Sequence, residues 1–123
     1  LIVNQLKLGE KKLNIIDGYK GSPTFTQDLA KVMIDMLIND EKGVYHIVNS
    51  GVATRIQITQ EILKIIKKKD VKIIPVQKSF FSQIAHRPEN ETLKSLLLPD
   101  NYRNSMPHWS HSLRRYLQDS FRI

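Results

Sequence analysis

Hydrophobic and polar positions follow two periods along this chain, and the switches between them mark out its elements. Residues 1–8 carry Leu1, Ile2, Val3, Leu6 and Leu8 and read as the end of a helix stopped by Gly9. Leu13, Ile15 and Ile16 mark a short strand, and a turn through Asp17, Gly18, Tyr19, Lys20, Gly21, Ser22 and Pro23 follows. Leu29, Val32, Met33, Met36 and Leu37 then recur at helical spacing, and Ile34 and Ile38 widen the stripe, which predicts a helix buried on more than one side. Thr26 is its expected N-cap, with Asp28 in the first turn, where the helix dipole favours negative charge. Residues 39–43 end it.

Residues 44–49 alternate weakly and are β-branched, which predicts a second strand. Thr54 and Gln57 match a capping box, so a helix is expected from there to about Lys69, with Ile58, Ile62, Leu63, Ile65 and Ile66 inward. Residues 71–76 read as a third strand, whose Pro75 suits an edge or a strand end. Residues 79–85 predict a short helix with Phe80, Phe81 and Ile84. A last helix begins near Pro107 and carries Trp109, Leu113, Tyr116 and Leu117, with Trp109 expected in the core. The fold class is α/β: a small mixed helix-strand subdomain spanning residues 1–123, without a complete doubly wound sheet, which needs about six parallel strands. No internal repeat, low-complexity tract or linker divides it.

Composition narrows the partners. The 123 residues are 41% apolar and 25% charged, as in an ordinary globular domain. Cysteine is absent, which excludes disulfides and thiolate metal sites and fits a cytoplasmic protein. No apolar run approaches the roughly 20 residues that span a bilayer, so no membrane is expected. The first residue is leucine rather than methionine, so the chain is expected to be a piece of a longer polypeptide. A net charge of +7 favours anionic partners. The run Lys67, Lys68, Lys69 has no interleaved aromatics and reads as a solvated helix end rather than a nucleic-acid patch.

Candidate chemistry is sparse. The five glycines are scattered, so no G-x-G-x-x-G loop cradles a pyrophosphate. None of the four tyrosines is followed four residues later by lysine, so the Tyr-x-x-x-Lys pair of short-chain dehydrogenases is missing. Hydride transfer cannot reside in this chain alone. His108 and His111 lie at i, i+3 without a third metal ligand suggested by spacing, and Ser110, His111 and Asp119 lack a nucleophile elbow. Arg87 stands out because Pro88 restrains its backbone. Its forked guanidinium suits a phosphate, or alternatively an ion pair with Glu89 or Glu91.

Five motifs occur in one order. They are Gly21, Pro23, Thr24, Asp28, Leu29 and Ala30; Gly43, Tyr45, His46, Asn49 and Gly51; Thr54, Glu61, Ile62 and Leu63; Ala85, Arg87, Pro88 and Asn90; and Met106, Pro107, Trp109, Leu113, Tyr116 and Leu117. In this order the chain resembles the C-terminal half of the dTDP-4-dehydrorhamnose reductase family, within the extended short-chain dehydrogenases. The resemblance implies the substrate-binding part of a two-part nucleotide-sugar reductase of polysaccharide biosynthesis. An absent N-terminal Rossmann part would bind NADP or NAD and carry the catalytic residues, so no catalytic, cofactor or metal residue is expected here. The partners implied are a dTDP-linked 4-keto sugar and that missing part. Substrate-binding residues implied are Arg87, at the diphosphate, with Asn90 and Tyr19. The alternatives are a non-catalytic regulatory or binding module of the same fold, or a basic nucleic-acid-binding domain. A part cut from its partner should expose an apolar patch, expected at Leu1, Ile2 and Leu6 and at the turn around Pro23 and Phe25, which leaves room for a homo-oligomer.

Overall fold

The computed structural model of the chain describes residues 2–80 and 88–121. It divides into two compact units, Leu1–Lys20 with Ala53–Glu91, and Gly21–Val52 with Thr92–Ile123.

The first unit begins with α1 (Ile2–Lys7) and β1 (Lys12–Ile16) and continues, after the segment belonging to the second unit, with α3 (Arg55–Ile65) and β4 (Lys72–Val76). β1 and β4 pair in parallel, from Lys12 opposite Lys72 to Ile16 opposite Val76. α3 packs on both strands, and its Thr59, Ile62 and Leu63 share the interior with Leu13, Ile15 and Ile16. Pro75 takes its place in β4 without disruption, because this strand pairs on one side only and the missing amide leaves no ladder bond open. The capping box forms: Thr54 accepts from the Gln57 amide at 3.1 Å, and the Gln57 side chain accepts from the Thr54 amide at 2.8 Å. Three two-residue strands, β2 (Lys20–Gly21), β3 (Ala53–Thr54) and β5 (Asn90–Glu91), make a small sheet in the order β3-β2-β5. They are too short for any periodicity to announce. A 3-10 turn, Lys78–Phe80, stands where the helix over 79–85 was expected, and the rest of that expectation lies outside the described residues.

The second unit holds α2 (Thr26–Ile38), α4 (Asp100–Ser105) and α5 (Trp109–Phe121). Val32 and Met36 of α2 meet Leu98, Tyr102 and Met106, with Tyr45 and Ile47 packed against them. Residues 44–49 keep the predicted alternation but form no ladder among the described residues; a single parallel bridge joins Ser50 to His108. α2 also departs from expectation. Its N-cap position is Phe25, one residue before Thr26, and Met33, Ile34, Leu37 and Ile38 are exposed rather than buried on a second side. Leu6, expected in the apolar patch, is buried, and Leu1 lies outside the described residues. α5 begins at Trp109, two residues after Pro107, because the Pro107 carbonyl is engaged by the Ser50 amide at 3.1 Å. Trp109 is buried as expected, while Tyr116 is 40% exposed. Gly51 has φ +87° and lies so close to His108 that a Cβ would sit 2.4 Å from Nε2, so only glycine fits there.

Three helices close with the same hydrogen-bond pair. In α1, Glu10 N–H donates to Gln5 O and Gly9 N–H to Leu6 O; in α2, Glu41 to Met36 and Asp40 to Leu37; in α3, Lys68 to Leu63 and Lys67 to Lys64. This is the Schellman arrangement, and it demands a left-handed residue. Gly9 supplies it at φ +83°, whereas Asp40 (φ 54°) and Lys67 (φ 56°) supply it against their side-chain preference. Lys67→Gly should therefore stabilise the protein by roughly 0.5–1 kcal/mol, read as a raised urea midpoint, while Lys68→Gly, one residue on, should not.

Candidate functional site

Two polar groupings are built into the fold, one in each unit. In the second unit, Asp28 in the first turn of α2 is 7% exposed and Asn49 is 1% exposed. Ser112 and Arg115, three apart on α5, point to the same carboxylate: Ser112 Oγ donates to Asp28 Oδ2 at 2.6 Å and Arg115 Nη1 to Oδ1 at 2.7 Å. Asn49 Nδ2 faces three acceptors at 3.0 Å, namely Asp28 Oδ2, Ser112 Oγ and the Pro107 carbonyl, while its Oδ1 accepts from the Phe25 amide at 2.8 Å. Burial alone would raise the Asp28 pKa. The hydrogen bonds from Ser112, Asn49 and Arg115, with the Arg115 charge, outweigh it and hold the carboxyl below its ordinary value.

Beside this network an apolar groove of about 240 Å³ runs between the turn before α2 and one face of α5, lined by Pro23, Phe25, Trp109, Leu113 and Tyr116. The Phe25 and Tyr116 rings meet edge to face at 5.8 Å, and the Arg115 guanidinium lies 5.5 Å from the Phe25 ring centre. Pro23 and Phe25, expected to be exposed, line this groove and are half-buried.

In the first unit the chemistry gathers around Tyr19. The Asp17–Gly18 turn, closed by Gly18 N–H donating to Asp17 Oδ1 at 2.8 Å, delivers Tyr19 into the interior just before β2. Lys20 N–H donates to Glu89 O at 3.0 Å and so draws β5, with exposed Asn90 and Glu91, alongside β2. Two of the three residues implied as substrate contacts, Tyr19 and Asn90, thus stand on neighbouring stretches; the third, Arg87, lies outside the described residues. Two cations address the Tyr19 ring, Lys78 Nζ at 5.0 Å and Arg55 Cζ at 5.8 Å from its centre. Lys78 is also ion-paired with Glu89. Neither Arg55 nor Lys78 was singled out by the sequence. Only the strand pairing brings positions 19, 55, 78 and 89 together.

A family model, the RmlD substrate binding domain, matches residues 2–122. The chain belongs to that family. Among proteins it resembles, the spore coat polysaccharide biosynthesis protein SpsK of Bacillus subtilis (strain 168) is 29% identical over 120 residues, covering 96% of this chain and 41% of the relative. A dTDP-4-dehydrorhamnose reductase from Clostridium acetobutylicum superposes over 100% of this chain and 44% of its own, with a TM-score of 0.86 and 25% identity. The enzyme of the same description from Bacillus anthracis, solved in complex with NADP, gives 0.81 and 28% over 97% of this chain and 43% of its own. The chain therefore spans about two fifths of the length of these relatives.

Thr54 Oγ1 accepts from the Gln57 amide in the first turn of α3, and Asn49 Oδ1 accepts from the Phe25 amide at the N-cap of α2. No group of His, Asp or Glu among the described residues could hold a metal ion, and no described helix is long and apolar enough to cross a membrane.

Asp28→Asn should destabilise the second unit by roughly 2–3 kcal/mol, because an amide nitrogen would face the Ser112 and Asn49 donors. The sign of the pH effect follows from the lowered pKa. The contribution of Asp28 is complete above its unfolded value of about 3.9 and is lost as pH falls through the folded value. Urea midpoints measured from neutral pH down into the acid range should fall less steeply for Asp28→Asn than for the wild type.

Proposed function

We propose that this chain is the substrate-binding part of an NADP(H)-dependent reductase acting on a dTDP-linked 4-keto sugar in the cytoplasmic synthesis of a cell-surface polysaccharide. The observation that carries this reading is the match of residues 2–122 to the RmlD substrate binding domain, joined to a backbone that follows dTDP-4-dehydrorhamnose reductases throughout. The NADP complex of one such reductase supports the choice of cofactor. In this reading the dinucleotide-binding loop and the catalytic tyrosine and lysine come from the remainder of the polypeptide, since the sequence here has neither. What this chain contributes is recognition. Its charge of +7 suits a substrate carrying a diphosphate, Tyr19 directly precedes β2, the strand that pairs with the β5 of Asn90, and Arg87 would provide a planar two-point donor for a phosphate.

Two measurements test it. The 123-residue chain alone should bind neither NADPH nor NADH in a calorimetric titration; micromolar affinity would place a cofactor site within it. In the full-length protein, Arg87→Ala should weaken the dTDP-sugar about tenfold to a hundredfold and leave cofactor affinity unchanged. Arg87→Lys should recover part of the loss, because an ammonium cannot make the planar contact. Loss of stability with substrate affinity intact would instead identify Arg87 as the ion-pair partner of a nearby carboxylate.

A further inference from the structure

We propose that Lys78 is an anion-contacting residue held in readiness by Glu89, and that the Glu89 carboxylate occupies the place a ligand phosphate takes when it binds. The proposal rests on the reading above that the site takes a nucleoside-diphosphate-linked ligand, but Lys78, Arg55 and the displacement of Glu89 play no part in that reading. Four observations support it. Lys78 follows β4 on a 3-10 turn, and its side chain lies along the Asp17–Gly18 turn so closely that a Cβ on Gly18 would meet Lys78 Cε at 3.5 Å. Its ammonium is thereby held 5.0 Å from the centre of the Tyr19 ring. Arg55, the first residue of α3, brings a second cation to the same ring at 5.8 Å. Glu89 is a 73% exposed carboxylate paired to a lysine that is itself only 37% exposed, so the solvent side of the pair is the acid and not the base.

That arrangement is uneven in charge. Lys78 is held along the Gly18 turn and near the Tyr19 ring, Arg55 approaches the same ring from an exposed position, and the carboxylate that pairs with Lys78 is on the outside. An exposed ion pair contributes little to stability, so replacing the Glu89 carboxylate on Lys78 by another anion gives up little of that pair's energy. A phosphate oxygen arriving from solvent would find the Lys78 ammonium already oriented and Arg55 within reach, and would release Glu89 to water. Glu89 then has a second effect. It competes with the incoming anion, which sets a ceiling on affinity and excludes weakly charged ligands.

The test is titration calorimetry on the full-length protein at fixed low salt, with inorganic pyrophosphate and with dTDP as ligands. Lys78→Ala should weaken both ligands about tenfold, Arg55→Ala should weaken them by less, and Glu89→Gln should tighten both roughly threefold at low salt, an advantage that fades as salt rises. The thermal midpoint of Lys78→Ala should stay close to that of the wild type, as expected for an exposed pair. If dTDP binds and Lys78→Ala or Glu89→Gln leaves its affinity unchanged, the exchange is overturned while the reductase reading stands. If pyrophosphate binds in a Lys78-dependent way and dTDP gains nothing over it, the exchange stands and the nucleotide-sugar reading fails. Binding of neither ligand at millimolar concentration overturns the exchange.

Discussion

The second unit depends on one buried carboxylate. Asp28 joins two helices and a loop that are distant in sequence: α2 carries it, α5 supplies Ser112 and Arg115, and Asn49 brings in the segment that ends at Gly51. An uncompensated charge at this depth would be strongly unfavourable. Here both oxygens are occupied by donors and one donor is a guanidinium, so the carboxylate is more stable charged than neutral. The same network fixes the turn before α2, because Asn49 Oδ1 accepts from Phe25 N–H and Asn49 N–H donates to Thr24 Oγ1 at 3.4 Å. A polar contact therefore joins the Tyr116 ring in positioning Phe25 at the groove it lines.

Local chemistry was legible wherever it is self-contained. The Thr54–Gln57 capping box requires only four consecutive residues, and it forms as the sequence predicts. Gly9 announces the end of α1 for the same reason. Asp40 and Lys67 make the same closure without glycine; aspartate tolerates a left-handed position, whereas lysine gives no signal of one. The N-cap of α2 lies one residue earlier, at Phe25, whose side chain makes no capping hydrogen bond and whose own amide donates to Asn49 Oδ1, 24 positions away. Pairing and burial were less legible. Residues 44–49 have the alternation of a strand, and Tyr45 and Ile47 do face the core, but alternation reports which face is buried and says nothing about whether a neighbouring strand exists. The wide apolar stripe of α2 is a similar case. Val32 and Met36 find a core, whereas Met33, Ile34, Leu37 and Ile38 have no cover among the described residues.

The candidate site shows the same division. Asn90 belongs to the ordered motifs of a family and Tyr19 does not; Tyr19 directly precedes β2, which pairs with the β5 of Asn90. Arg55 and Lys78 belong to no motif, and a lysine or arginine in a chain with 19 of them carries no mark of its own. They matter because β2 and β5 pair, because α3 begins beside β3, and because the turn after β4 ends near Gly18. Each of those facts is a backbone event separated by tens of residues from the others.

Most of the positive charge is spread over solvated ends such as Lys67, Lys68 and Lys69, all exposed. A free lysine there raises the field around the protein but must be ordered before it can hold one particular anion, and that ordering costs side-chain entropy. A lysine laid along a glycine turn and against a ring has lost that freedom in folding. The distinction separates general attraction from recognition. A net charge of +7 draws anions of every kind toward the surface, but only cations whose positions are set by packing can favour one geometry of phosphate over another. By that criterion the proposed anion exchange belongs at Tyr19, where Lys78 lies against the Gly18 turn and the ring, Arg55 approaches the same ring and Glu89 is exposed beside them.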